Sequence, residues 1–110
     1  MVTINVKKEN SATIVQIDGE VDLYSSSEVR EILLKLIQDQ TTVIIVNFER
    51  VSYIDSSGVA TLVEGLQEMG KYSGILRLTN LPDMVRQVFE LSSLDKVFDI
   101  HNSLEDALRA

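Results

Sequence analysis

Residues 43–71 read VIIVNFERVSYIDSSGVATLVEGLQEMGK, and two changes of pattern within them decide the fold class. The run Val43, Ile44, Ile45, Val46, Asn47, Phe48 is almost continuously apolar and rich in β-branched side chains, which suits a strand buried on both faces in the middle of a sheet. From about Ser57 to Lys71 the period changes. Val59, Leu62, Val63, Leu66 and Met69 recur at helical spacing while Glu64, Gln67, Glu68 and Lys71 fall on the opposite side, the signature of an amphipathic helix. A buried strand that passes through a short polar loop into an amphipathic helix is the unit from which α/β folds are built.

The flanking sequence repeats this unit. Upstream, Val2, Ile4 and Val6 alternate with Thr3 and Asn5, and Thr13, Ile14, Val15 and Ile17 follow a polar break at Lys7 to Ser11, which predicts a β-hairpin. From Ser25 to Gln38, Val29, Ile32, Leu33, Leu36 and Ile37 mark a helix, with Ser25 and Glu28 in the spacing of a capping box. Downstream, Ile75 to Thr79 reads as a strand. Pro82 opens a helix carrying Met84, Val85, Val88, Phe89 and Leu91. Val97 to Ile100 reads as the last strand, and Ser103 with Asp106 caps a short helix that buries Leu104, Ala107 and Leu108. The order is ββαβαβαβα, an α/β fold with a mixed sheet of about five strands, about four helices and right-handed crossovers. Strand order does not follow from the sequence. With 110 residues, one proline and five glycines, and no repeat or linker, residues 1–110 are expected to fold as a single domain.

Composition narrows the function. The chain has no cysteine and one histidine, His101, so thiol chemistry and a zinc site are not expected, nor is any cofactor. Seventeen acidic against ten basic residues give a net charge of −7, which opposes binding to a phosphate backbone. The first residues carry no basic segment followed by an apolar run, and no stretch is long enough to span a bilayer. A cytoplasmic protein with proteins or small ligands as partners is the expectation, with no nucleic acid and no membrane insertion.

Chemistry concentrates in Val51-Ser52-Tyr53-Ile54-Asp55-Ser56-Ser57-Gly58-Val59, between the central strand and the second helix. Free amides and the positive end of a helix dipole gather there, so the Ser56 hydroxyl can cap the helix, and a phosphate on it would meet favourable partial charge. Asp55, Ser56 and Ser57 also suit ordinary capping and turn roles, and spacing alone does not separate the two readings. The string Ile54-Asp55-Ser56-Ser57-Gly58-Val59, set between an apolar strand and an amphipathic helix, resembles the phosphorylation loop of the STAS domain of bacterial anti-sigma factor antagonists. Gly19-Glu20-Val21-Asp22, read as following the second strand and preceding the first helix, is similar to a second stretch common in that family, and the element order agrees over about residues 2 to 109. Many antagonists continue the loop as Ser-Gly-Leu-Gly, whereas Gly58 is followed here by Val59-Ala60. This departure falls on the first helical turn, part of the family's contact surface, and so bears on partner identity.

The resemblance implies a switch. Ser56, the first serine after the aspartate, matches the phosphorylated position, and Asp22, Asp55, Ser56, Ser57 and Gly58 would lie at the partner-binding surface, with Asp55 holding the turn or lying beside the hydroxyl. The unmodified protein would bind an anti-sigma factor with a kinase-like ATP-binding fold and so free a sigma factor. The same partner would phosphorylate Ser56, and a serine phosphatase would reverse the modification. An alternative is a STAS accessory subunit of an ABC-type lipid transporter or of another signalling complex. Catalysis has little behind it: no G-x-S-x-G elbow surrounds Ser56, its base would have to be His101 beyond the last strand, and no phosphate-cradling G-x-x-x-x-G-K-[ST] loop is present. An aspartyl-phosphate receiver would need an acidic pair after its first strand, where Lys7 and Lys8 stand instead.

Overall fold

The computed structural model describes residues 1–110. The strands are β1 (Val2–Glu9), β2 (Ala12–Val21), β3 (Val43–Ile54), β4 (Ile75–Thr79) and β5 (Asp99–His101), and the helices are α1 (Ser26–Gln38), α2 (Ser56–Gly70), α3 (Asp83–Leu91) and α4 (Leu104–Arg109). The order matches the sequence expectation, and the sheet order is β1-β2-β3-β4-β5. β1 is antiparallel to β2, and every other neighbour pair is parallel. β3 is therefore the central strand, as its apolar run predicts. No helix is long and apolar enough to cross a membrane.

Alternation along the strands divides the core. Val15, Ile17, Ile44, Val46, Phe48, Leu76 and Leu78 belong to one cluster with Val29 and Leu33 of α1, Val59 and Leu62 of α2, and Val85 and Phe89 of α3. The intervening Ile14 and Ile45 face the other way and pack with Ala12 and with Ala107 of α4. Three helices thus cover one face of the sheet and the short fourth helix covers part of the other. At the end of the main cluster Phe89 makes edge-to-face contacts with Phe48 and Phe98, with ring centroids 6.4 and 5.5 Å apart. This geometry is favoured by the ring quadrupoles.

Several boundaries differ from the sequence reading. The hairpin turn is tighter than the polar break suggests, since Glu9 pairs with Ala12 across Asn10 and Ser11. The last strand is Asp99–His101, later than Val97 to Ile100, because a 3-10 turn at Leu94–Lys96 occupies the approach. The capping box expected at α1 does not form: the N-cap Ser25 makes no side-chain cap bond, because its hydroxyl serves the preceding turn. The Ser103 cap does form, accepting from the Asp106 N–H at 3.1 Å.

The largest difference lies at the carboxyl ends of β2 and β3. β3 does not stop near Phe48 but runs to Ile54, and β2 runs to Val21. β4 pairs only as far as Asn47↔Thr79, so the ends of β2 and β3 continue as a two-stranded extension past the rest of the sheet. From Gln16↔Asn47 to Val21↔Ile54 the register advances five residues on β2 and seven on β3, with irregularities at two places. Each extra residue is a bulge that resets the facing of β3. Phe48, Val51 and Ile54 are consequently all buried at a spacing of three while the residues between them are exposed.

Phe89 is fully buried at the junction of α3, β3 and the 3-10 turn. Phe89→Ala is expected to cost about 3–5 kcal/mol through lost transfer energy and a residual cavity. Urea denaturation followed by circular dichroism measures it as a lower midpoint at an unchanged slope.

Candidate functional site

The β2 and β3 extension brings the two sequence motifs to one edge. Val21 pairs with Ile54, and the Asp55 N–H donates to the Val21 carbonyl at 3.1 Å. Gly19-Glu20-Val21-Asp22 and Ile54-Asp55-Ser56-Ser57-Gly58 therefore lie side by side at the carboxyl ends of adjacent parallel strands. Gly19, Glu20 and Val21 belong to the strand rather than following it, as the sequence reading had it. Gly19 has φ +120°, and a Cβ there would meet the Met1 carbonyl oxygen at 2.3 Å, so the start of the chain crosses it closely and only glycine fits.

Asp55, not Ser56, caps α2. Its Oδ1 accepts from the N–H of Ser57 at 3.0 Å, from the N–H of Gly58 at 3.3 Å and from the Ser57 hydroxyl at 2.5 Å. The Ser57 hydroxyl and these amides, together with the Leu23 N–H, hold the Asp55 carboxyl below its ordinary value of 3.8 against partial desolvation. Gly58 lets the first turn of α2 sit directly on the strand ends. A Cβ at Gly58 would lie 2.7 Å from Val21 Cγ1 and 2.8 Å from Ile54 Cγ1. The two serines thereby differ in kind. Ser57 is half-buried with its hydroxyl committed to Asp55, whereas Ser56 is exposed and its hydroxyl takes no part in the cap.

The second motif forms its own rigid turn. Asp22 Oδ1 accepts from the N–H groups of Tyr24 and Ser25, each at 3.0 Å. The Ser25 hydroxyl donates to the Glu20 carbonyl at 2.6 Å, with Asp22 Oδ1 as a second acceptor at 3.1 Å, and accepts from the Asp22 N–H at 2.9 Å. Partial burial pushes the Asp22 carboxyl up, but the N–H and hydroxyl of Ser25, the Tyr24 N–H and the nearby chain-terminal ammonium outweigh it and leave it below its ordinary value. The Asp22 carboxylate thus points into its own turn, and the turn exposes Leu23 and Tyr24. With Tyr53, these are large exposed apolar side chains at the rim that the sequence reading did not single out. Their signal was two apolar residues between the motif and the helix cap.

Nothing at this edge resembles a reaction centre. His101 is on β5, beside Asp99 at 2.8 Å, on a strand three places from β2 in the sheet. No group of three His, Cys, Asp or Glu side chains is placed to hold a metal. Two shallow clefts of 360 and 300 Å³ flank the Asn10–Ser11 turn, at the opposite end of the strands from Ser56.

Gly58→Ala is expected to destabilise the fold by about 1–3 kcal/mol through overpacking, and Asp55→Ala by about 0.5–2 kcal/mol through loss of the cap. Because the folded-state pKa of Asp55 is depressed, its stabilisation is complete above the unfolded value of about 3.9 and is lost as pH falls through the folded value. Urea midpoints of wild type and Asp55→Asn should therefore converge below about pH 4.

The family model described as the STAS domain matches residues 3–107. The chain is 30% identical over 108 residues to the anti-sigma-B factor antagonist of Bacillus subtilis, covering 98% of each chain. It is 32% identical over 91 residues to the anti-sigma-B factor antagonist of Staphylococcus aureus, covering 83% of this chain and 84% of that one. Among solved structures, the Bacillus cell fate determinant SpoIIAA in its phosphorylated form superposes with a TM-score of 0.76 at 27% identity over 97% of each chain. Matched by the family model over residues 3–107 and by relatives of 30% identity or more along most of its length, this chain belongs to the STAS domain family.

Proposed function

We propose that this chain is an anti-sigma factor antagonist acting as a single cytoplasmic domain, switched by phosphorylation of Ser56. The observation that carries the reading is the contrast between an exposed, uncommitted Ser56 hydroxyl and a Ser57 hydroxyl held by Asp55. Two relatives at 30% identity or above are named anti-sigma-B factor antagonists, and a structural relative is known in a phosphorylated form. The chain is ligand and substrate rather than catalyst. Its partner is an anti-sigma factor with a kinase-like ATP-binding fold that binds the unmodified site and thereby releases a sigma factor.

In the modifying step the Ser56 oxygen attacks the γ-phosphorus of ATP held by the partner. The bond to the β-phosphate oxygen breaks, ADP leaves, and the hydroxyl proton passes to a base of the partner. A serine phosphatase restores the hydroxyl by hydrolysis. The amino end of α2 accommodates the new group through the helix dipole, which favours an anion there, although the Ser57 and Gly58 amides are already held by Asp55. The docking face does not, since about −1.5 to −2 charges are added next to Asp55 on the surface the partner covers, where the phosphate must lose its water and repels any acidic group of the partner. A like-charged pair at about 4 Å is worth roughly 4 kcal/mol at an effective dielectric near 20 before screening. Each 1.4 kcal/mol is about tenfold in affinity, so the complex is lost without refolding.

Ser56→Asp is expected to keep the fold and to weaken binding to the anti-sigma factor by at least about tenfold, whereas Ser56→Ala binds as wild type and takes up no phosphate. Isothermal titration calorimetry and intact-mass spectrometry after incubation with the partner and ATP measure the two effects. Wild-type affinity in Ser56→Asp, or phosphate incorporation into Ser56→Ala, would contradict the reading.

A further inference from the structure

Two adjacent serines follow Asp55, and the hydroxyl of either is chemically able to take a phosphoryl group. An acceptor hydroxyl must bring its oxygen to the γ-phosphorus and give up its proton, so one whose proton is already bound to a fixed carboxylate starts at a disadvantage. Ser57 is in that state. Its hydroxyl donates to Asp55 Oδ1 at 2.5 Å and its N–H donates to the same oxygen at 3.0 Å, so backbone and side chain are held together. Asp55 is not free to follow a Ser57 that turns outward. Its own N–H is bonded to the Val21 carbonyl at 3.1 Å, its carbonyl accepts from the Val59 N–H at 3.0 Å, and its Oδ1 also accepts from the Gly58 N–H at 3.3 Å. Ser56 lies between the two residues, is exposed, and its hydroxyl enters none of these bonds.

We infer that Asp55 selects the acceptor: it is a positioning residue whose carboxylate withholds Ser57 from phosphoryl transfer, so that removing it opens Ser57 as a second phosphorylation site. The inference rests on the proposed function and adds to it the group that turns a two-serine loop into a single-site switch. A hydrogen bond to a charged acceptor is strong enough to bias the choice by about ten- to a hundredfold. The product is disfavoured as well. Esterifying the Ser57 oxygen removes the donor and sets about −1.5 to −2 charges against the half-buried carboxylate that now holds it, whereas a phosphate on exposed Ser56 lies in solvent, where screening weakens the repulsion. In a chain without the Asp55 carboxylate the Ser57 oxygen bonds to the γ-phosphorus of the ATP held by the partner, the bond to the β-phosphate oxygen breaks, ADP leaves, and the proton passes to the partner's base.

A carboxylate beside a hydroxyl is also where a general base would stand, and a base would make Ser57 the acceptor instead. Asp55 is a poor one. The Ser57 hydroxyl, the Gly58 and Ser57 amides and the Leu23 N–H hold its carboxyl below the ordinary value against partial desolvation, so it binds the Ser57 proton without taking it.

The test uses the full chain, ATP and the anti-sigma factor that wild type retains from its host, identified by mass spectrometry and purified. Intact mass counts the phosphates and peptide fragmentation places them. Wild type should take up one phosphate, on Ser56, and Ser56→Ala none. When Asp55→Ala is added to Ser56→Ala, phosphate should appear on Ser57 at least about tenfold faster than in Ser56→Ala alone, and Asp55→Ala by itself should divide its phosphate between Ser56 and Ser57. Asp55→Asn still caps a helix, but as a neutral acceptor, and in the Ser56→Ala background it should fall between the two. Loss of a merely structural cap would lower incorporation everywhere, whereas only release of a withheld hydroxyl raises it at Ser57. Circular dichroism checks the fold of each variant, and if Asp55→Ala loses the native spectrum, Asp55→Asn decides by the same criterion. No phosphate on Ser57 in the folded double variants, or an Asp55→Ala chain modified on Ser56 alone, would overturn the inference and leave the Ser56 switch standing. Phosphate on Ser57 in Ser56→Ala alone, or a wild type that takes up none, would overturn the switch and the inference together.

Discussion

The hydrogen bond from the Asp55 amide to the Val21 carbonyl, 3.1 Å long, joins the two halves of the functional edge. It closes the last rung of the β2 and β3 pairing, and it fixes Asp55 where its carboxylate caps α2. Because Gly58 has no Cβ, the capped helix can then rest on Val21 and Ile54 without a gap. The position of Ser56 follows from these constraints. It is the first residue of a helix whose amides its neighbours have already satisfied, with its own hydroxyl left over for solvent. In the proposed switch a hydroxyl presented in this way needs no catalytic machinery of its own, only a partner that carries the nucleotide.

Under the proposed function, the same constraint lets one covalent change act as a switch without disturbing the fold. The helix end is a favourable place for an anion, and the docking face around it is already negative. The local backbone favours the modification that the intermolecular surface disfavours. On this proposal the consequence for binding is carried by charge and desolvation rather than by a conformational change.

Much of this was legible in the sequence because the relevant periods are strong. The apolar run of β3, the stripes of α1 and α2, and the Ser103 cap each have one reading, and their order dictates the fold class. The end of β3 was not legible, because two bulges change the spacing of Phe48, Val51 and Ile54 from two to three, which imitates neither a strand nor a helix. The capping roles were also misassigned. Ser56 occupies a cap-like position, but Asp55 takes the Ser57 and Gly58 amides with a charged acceptor, which makes the stronger hydrogen bonds, and the Ser25 hydroxyl is spent on Glu20 and Asp22 in the turn before α1. The adjacency of the two motifs depends on β2 and β3 being neighbours, a tertiary fact that neither motif contains. The exposure of Leu23 and Tyr24 depends in turn on the Asp22 turn that lifts them.

The central claim is that the Ser56 oxygen carries the signal, and it is tested most directly on one preparation of unmodified wild-type chain. Its affinity for the purified anti-sigma factor is measured, the chain is phosphorylated to completion with ATP, the modified residue is mapped by peptide mass spectrometry, and the affinity is measured again. The account predicts a single phosphate, on Ser56, and a Kd raised by at least about tenfold with an unchanged circular dichroism spectrum. A phosphate on Ser57 or elsewhere, or a phosphorylated chain that binds as tightly as before, would contradict it.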